Sequence, residues 1–472
     1  MSYRAMPAFF CAIALALGCA LFHAFSLSLC IVAIVYLTFT PRHMIAFLLI
    51  GFAYAYARAP PPHHIKAPIH VTGQFTPSRC TPTQLPFGFG TIIYGKISNH
   101  PVSLLLLNSN KLPIDGTYTV SGTLKPGKGT SLLFKPDKGT KWIKEPNSFS
   151  TVGVRFRLKQ KLKSYIQQKI KHKTPSQFLS AILCGELENR HMRFYFSKVG
   201  LSHILAISGL HFGIIAMLIG WLFKKTLPFR WVTPLLFIII NAYAWMLGDS
   251  PSVLRACAMI DLALLGQLTG RYAHPLNIVG AAALFEIILF PSHILHRGFL
   301  MTYTATLSIL LFYPTMHRFT GKLFLPRTRH EIAQLSNTAL CEFILCGFLR
   351  KMIAVTLAVH MTMSIIAIAL FGSFPALSLF YNLIIPPMLI VCLTCLIIGL
   401  ALGPFGAPLH AFNALWTTFM LDLIRYPPQF LNIKIRASWL TPDLALILIC
   451  GLLLWSLRHS SKEVSKLQTL NS

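Results

Sequence analysis

The sequence predicts a polytopic α-helical membrane protein of about 10–12 spans with a small extramembrane all-β domain. Three observations carry this expectation. Of 472 residues, 54% are hydrophobic and only 12% charged, about half the charged fraction usual in soluble domains. Apolar runs of membrane length recur in two blocks, one before residue 58 and one from Leu201 onward. Between them lies a strongly basic, water-compatible stretch. From Ala59 to Gly200, 21 Lys and Arg stand against five acids, a net of +16 out of +29 for the whole chain.

The first domain, 1–58, reads as three spans at about 7–24, 26–40 and 43–57, with a turn at Pro41–His43. The apolar run from Pro7 is followed directly by more of the same, which favours a membrane span over a signal peptide. Arg58 and Pro60–Pro62 end the block, and His63 and His64 read as solvated residues of a proline-rich linker.

The second domain, 59–147, alternates short β-prone pieces (HVTGQF, GTIIYGKIS, VSLLLLN, GTYTVSGTL, SLLFKP) with turn signals. About five strands at this spacing fit an OB-like barrel. Its lysines Lys125, Lys128, Lys135, Lys138, Lys141 and Lys144 are the candidates for binding a polyanion, nucleic acid among them. Gly122–Thr130 (GTLKPGKGT) imitates a phosphate-binding loop, with Gly122, Gly127 and Lys128 in place. Gly129 stands where Ser or Thr should hold magnesium, and a β-like piece follows instead of a helix, so the stretch reads as a hairpin turn.

The third region, 148–200, contains RFRLKQKLKSYIQQKIKHK (Arg155–Lys173). Leu158, Leu162, Ile166 and Ile170 recur at helical spacing, and eight basic residues with no acids fill the remainder. This suits a helix lying on anionic lipid, with a place beside a nucleic-acid path as the alternative. Thr174 and Pro175 read as an N-cap and first helical position.

The fourth region, 201–457, holds candidate spans at about 202–222, 231–247, 251–268, 276–290, 298–313, 352–371, 376–402, 406–424 and 441–457, before a cytoplasmic tail, 458–472. The shortest, 276–290 and 298–313, are expected to be broken or re-entrant. With the N-terminus cytoplasmic, three spans place the β domain outside, and most Lys and Arg loops fall inside. Arg425, Lys434 and Arg436 disagree, and a re-entrant segment near 376–424 would restore the rule.

Candidate chemistry is sparse. Cysteine numbers 11, but in the soluble region before Lys173 only Cys80 appears, which excludes an internal disulfide there, and Cys392 and Cys395 read as packing residues inside an apolar run. No metal-binding or cofactor-binding motif is expected. In LSHILAISGLHFG (Leu201–Gly213), His203, Ser208 and His211 interrupt an apolar run, and polar groups in a membrane segment mark a pathway or site. Gly209 and Gly213 form GxxxG, a helix-packing pattern. A serine hydrolase built on Ser208 and His211 lacks a second element to supply a base and an oxyanion site. In GDSPSVLRACAMID (Gly248–Asp261), Arg255 sits one turn inside an apolar span, where it snorkels or meets a phosphate in a water-filled conduit.

Taken together, AILCGE (Ala181–Glu186), LSHILAISGLHFGIIAMLIG (Leu201–Gly220), SPSVLRACAM (Ser250–Met259) and HPLNIVGAAAL (His274–Leu284) resemble the blocks of ComEC-type competence proteins, in order and spacing. The three-span start, the β domain and the basic helix match that family's layout. RGFLMTYTAT (Arg297–Thr306) follows the corresponding block only loosely and lacks its glutamine. Many members also carry a C-terminal metallo-β-lactamase-like domain, whose HxHxDH cluster is missing here. The resemblance implies a non-enzymatic inner-membrane channel that passes single-stranded DNA from periplasm to cytoplasm in natural transformation. The implied partners are single-stranded DNA, membrane lipid, a periplasmic DNA receptor, a separate nuclease, a cytoplasmic motor ATPase and further copies of the chain. From composition alone, a transporter or flippase of a small anionic or lipid-linked substrate stands as the alternative.

Overall fold

The computed structural model describes residues 6–58, 68–85, 88–97, 100–107, 112–126, 132–137, 139, 142–146, 148–187, 189–205, 207, 209–248, 250–271, 274–323, 336–428 and 433–470. The backbone forms two compact units. One takes residues 1–59, 258–387 and 427–472, the other 60–257 and 388–426.

The first unit begins with α1 (Pro7–His23), α2 (Leu27–Phe39) and α3 (Met44–Ala57). Gly18 and Gly51 let α1 and α3 cross at backbone distance: a Cβ on Gly18 would strike the Leu48 carbonyl, and one on Gly51 the Leu15 carbonyl. Small residues serve membrane helices this way because association depends on close van der Waals packing.

The second unit opens with β1 (Ile69–Leu85), β2 (Gly88–Ile97), β3 (His100–Leu107), β4 (Tyr118–Lys125), β5 (Leu132–Pro136) and β6 (Ile143–Lys144). The sheet runs β1-β2-β3-β5-β4-β6 and closes through a β1–β4 pairing. β1 is long enough to do both jobs: its first half pairs with β4 up to Phe75↔Tyr118, its second half with β2 from Phe75↔Ile97. β3 and β5 pair in parallel, whereas the other pairings of the barrel are antiparallel. This is the small β-barrel that the strand spacing predicts. Side chains of β4 alternate between buried and half-buried, and Phe75, Ile93, Ile97, Leu104, Val120 and Phe134 fill the interior.

One end of the barrel is closed by α4 (Thr151–Lys169), whose Val152 and Phe156 pack on that core. Then come α5 (Lys173–Cys184), α6 (Arg190–Lys198), α7 (Ser202–Leu205), α8 (Gly209–Thr226), α9 (Phe229–Leu247) and α10 (Pro251–Leu268). The boundary between the units falls within α10.

The chain continues through α11 (Pro275–Leu289), α12 (Arg297–Leu323), α13 (Asn337–Phe371), β7 (Phe374–Pro375), α14 (Leu377–Ala401), α15 (Ala407–Arg425), β8 (Lys434–Ile435) and α16 (Pro442–Leu470). Gly280 of α11 meets the backbone of α1 at Phe9, so the N-terminal helices build the same core as the later ones. α9, α10, α12, α13 and α14 are long and apolar enough to cross a membrane. Shorter apolar helices are α1, α2, α3, α11 and Pro442–Ser456 of α16. The protein is thus a polytopic helical membrane protein with a small β-barrel.

Two expectations are corrected. The segment 298–313 is no broken span: α12 is a continuous helix of 27 residues, which carries Pro314 and runs past the apolar stretch. The break lies instead in 202–222, where α7 ends at Leu205, Ile207 is non-helical and α8 starts at Gly209. β7 and β8 pair antiparallel, Phe374 with Ile435 and Pro375 with Lys434. The chain that leaves β7 therefore returns beside it at β8.

Candidate functional site

The most polar buried site within the second unit begins at the end of α5. Gly185 has φ +73° and caps the helix, its N–H bonding the Ala181 carbonyl at 2.8 Å. Only glycine takes this left-handed conformation without strain. A Cβ here would also lie 2.7 Å from Ile207 Cδ1. The turn delivers Glu186 to the buried face of α4. Lys159 Nζ donates to Glu186 Oε1 at 2.8 Å and to the Leu247 carbonyl at 2.9 Å. Lys163, one turn later, donates to Glu186 Oε2 at 2.8 Å.

The three charged side chains are no more than 10% exposed. Such a cluster is tolerated because each charge is paired and hydrogen-bonded. It also alters the reading of the basic helix: two of its lysines turn inward to a carboxylate, while Leu158 is exposed.

Beside this cluster lies a cavity of about 170 Å³. The barrel supplies Ser78, Arg79, Cys80 and Thr81 to its wall, and α4 supplies Arg155 and Lys159. A β-bulge between Pro77 and Arg79 shifts the β1 register at this point, as bulges do where a strand must re-aim side chains. Gly185 and Glu186, Ile207, and Ser250, Ser252 and Val253 also line it. These residues come from three of the sequence blocks singled out above: AILCGE, LSHILAISGLHFG and SPSVLRACAM.

Arg155 lies 5.4 Å from the centre of the Trp245 ring, a cation–π contact. Gly248, with φ +91°, lies beside its guanidinium. Burial pushes the Cys80 thiol up to about 12, with Glu186 adding to the effect and Lys159 and Lys163 opposing it. Cys80 is therefore a neutral wall residue at physiological pH.

The residues marked by sequence fall as follows. Arg255 of α10 is 4% exposed and His211 of α8 is 2% exposed, so both are enclosed by protein, while His203 of α7 is exposed. Ser208 lies outside the described residues. Gly209 and Gly213 face open space, with no neighbour within 4 Å of an added Cβ, so among the described residues no helix of this chain packs on them. Lys125, Lys135 and Lys144 are exposed on the barrel. Lys125 pairs with Leu133 and Lys135 with Thr123, which makes the two lysines diagonal neighbours. Lys144 lies beside Tyr118 at the other end of β4. Lys128, Lys138 and Lys141 lie outside the described residues.

Sequence reasoning missed Lys159, Lys163, Glu186 and Arg79 as site residues. The available signal was two lysines four apart on one helix, with few acids in the whole basic region to answer them. Among the described residues no group of three or more metal-ligating side chains gathers.

Comparison with known proteins bears on this arrangement. The family model described as "Competence protein" matches residues 186–462. The chain is 29% identical over 117 residues to ComE operon protein 3 of Bacillus subtilis (strain 168), covering 25% of this chain and 15% of that protein. It is 26% identical over 240 residues to an uncharacterized protein of Aquifex aeolicus (strain VF5), covering 49% of this chain and 55% of that one. The matches thus span little more than half of the longer-covered relative. No solved structure matches. The family match starts at Glu186, the carboxylate at the centre of the buried cluster, and takes in every helix from α6 to α15; the chain belongs to the competence protein family, of the ComEC type.

Proposed function

We propose that the protein takes part in DNA uptake and conducts single-stranded DNA across the cytoplasmic membrane during natural transformation. The observation that carries this reading is the cation-lined cavity at which the β-barrel meets three blocks of the competence sequence. A barrel with exposed Lys125, Lys135 and Lys144 gathers a strand through phosphate contacts and counterion release, without reading its sequence. OB-like surfaces suit such a strand because bases stack on them irrespective of identity. Buried polar side chains such as His211 and Arg255 supply groups for a polar passage among the membrane helices.

In this reading the barrel is periplasmic and the C-terminus cytoplasmic. A periplasmic receptor delivers DNA, a separate nuclease supplies the single strand and a cytoplasmic motor ATPase pulls it. Lipid surrounds the helices, and further copies of the chain complete the pore where one copy does not suffice.

The test is replacement of the channel gene of a naturally competent bacterium by this one, followed by uptake of labelled DNA. Nuclease-protected cytoplasmic single strands are expected. Correct insertion without uptake, together with purified protein indifferent to oligonucleotides, would move the assignment to transport of a small anionic or lipid-linked substrate.

A further inference from the structure

We infer that the cavity beneath the barrel is a phosphate-binding site, with Arg79 and Arg155 as its ligands. Its size is the first argument: about 170 Å³ admits a phosphate group with water. Charge is the second. Arg79, Arg155 and Lys159 line the wall, and Lys163 bonds Glu186 from behind it. Cationic side chains on a partly enclosed wall concentrate anions.

Shape is the third argument. Arg155 is held over Trp245, and Lys159 is fixed by two acceptors, so part of the site is oriented before any ligand arrives. Arginine's planar fork matches two phosphate oxygens at once. The first turn of α10, an 18-residue helix, adds Ser250, Ser252 and Val253 to the same wall. A helix N-terminus favours an anion, and here it does so beside cationic side chains.

The ligand is a phosphate group. That it is the phosphodiester of a passing strand rests on the function proposed above; an anionic lipid headgroup or free phosphate offers the same chemistry. The site would then grip the strand's backbone where the barrel hands it to the competence helices, with no preference for base.

The experiment uses the purified full chain in detergent or nanodiscs. The probes are a labelled oligothymidine, the same oligomer with uncharged methylphosphonate linkages, inorganic phosphate, and nanodiscs with or without phosphatidylglycerol. Arg79→Gln and Arg155→Gln are each expected to weaken phosphodiester binding about tenfold. Arg79→Lys should restore part of the loss, and the methylphosphonate oligomer should show no difference between wild type and variants. Because Arg155 packs on Trp245, the Arg79 variants carry the test if Arg155→Gln fails to fold.

Folded variants that bind the phosphodiester oligomer like wild type overturn the phosphate site, whatever the uptake assay gives. Binding of inorganic phosphate or phosphatidylglycerol that needs Arg79, with no oligonucleotide binding by wild type, upholds the phosphate site and defeats the DNA reading instead.

Discussion

Lys159 Nζ lies 2.8 Å from Glu186 Oε1, joining the helix that closes the barrel to the first residue of the competence match. Lys163 takes the other oxygen of the same carboxylate. One acid therefore answers two buried lysines, and removal of the acid differs from removal of either base. Glu186→Gln removes the counter-charge that the two ammonium groups share and should destabilise the protein by about 3–5 kcal/mol. Lys163→Met leaves the Lys159–Glu186 pair in place and should cost less. Thermal melting of both detergent-solubilised variants checks the order; a Glu186→Gln variant as stable as Lys163→Met would contradict it.

Gly185 makes a sharper local prediction. Its φ of +73° costs any L-residue roughly 1–2 kcal/mol, and an added methyl would also meet Ile207 at 2.7 Å. Gly270 has a similar φ, +64°, with nothing within 4 Å of a Cβ. Gly270→Ala should therefore report the backbone term alone. Gly185→Ala should be more destabilised than Gly270→Ala, and equal melting shifts would show that Ile207 yields freely.

These two sites mark what was legible in the sequence and what was not. Gly185 and Glu186 stood in a recognisable block, but nothing local tells that Glu186 faces a helix more than twenty residues earlier. The barrel was readable because alternation of side chains is a local property: β4 keeps its period from Tyr118 to Leu124. The apolar stripe of the basic helix was readable too, yet its meaning was not. Ile166 and Ile170 are buried while Leu158 is exposed, because the barrel and α5 select the buried face and include two lysines in it. The break between α7 and α8 was hidden for a related reason. Leu201–Gly213 is apolar enough to read as one span, and hydropathy carries no information on where backbone hydrogen bonding stops. The pairing of β7 with β8 joins residues about sixty apart and lay beyond any local pattern.

Cys80 offers a test of how closed the cavity wall is. Its thiol is raised to about 12, against about 8.5 for a free thiol. An unfolded chain ionises this thiol at lower pH than the folded one does. Stability contributed by Cys80 is therefore unchanged below about pH 8 and falls as pH rises from there toward 12. The thiolate is the reactive form. Peptide mapping after maleimide treatment at pH 8 should show Cys80 almost unmodified in folded protein and fully modified after denaturation. Rapid labelling of folded protein would show a wall that opens.

In the first unit, Glu286 of α11 joins His293, at 3.1 Å, to Tyr303 of α12, at 3.2 Å. The carboxylate is 6% exposed, and its two bonds tie the turn between these helices to both of them. Tyr303→Phe removes one bond together with its donor and should cost about 0.5–1.5 kcal/mol. Glu286→Leu takes the acceptor away from both His293 and Tyr303 and should cost more, about 1–3 kcal/mol or above. Melting measurements on the two variants should rank them in that order, and the reverse order would show that the carboxylate is itself a net burden at this position.

The last prediction separates electrostatic gathering from site binding. Lys125, Lys135 and Lys144 are exposed on the barrel, two of them as diagonal neighbours across β4 and β5. If they gather a strand, each neutralises a phosphate and releases counterions, and single strands give a salt slope of roughly 0.7 per contact. Replacing all three with glutamine should then lower the slope of log affinity against log salt by about 2. Affinity should fall to a similar extent for every base composition, because these contacts read charge only. Arg79→Gln should behave differently. It removes one contact and so shifts the slope by less than 1. A triple lysine variant with an unchanged salt slope would remove the barrel surface from the strand's path and leave the cavity as the point of contact.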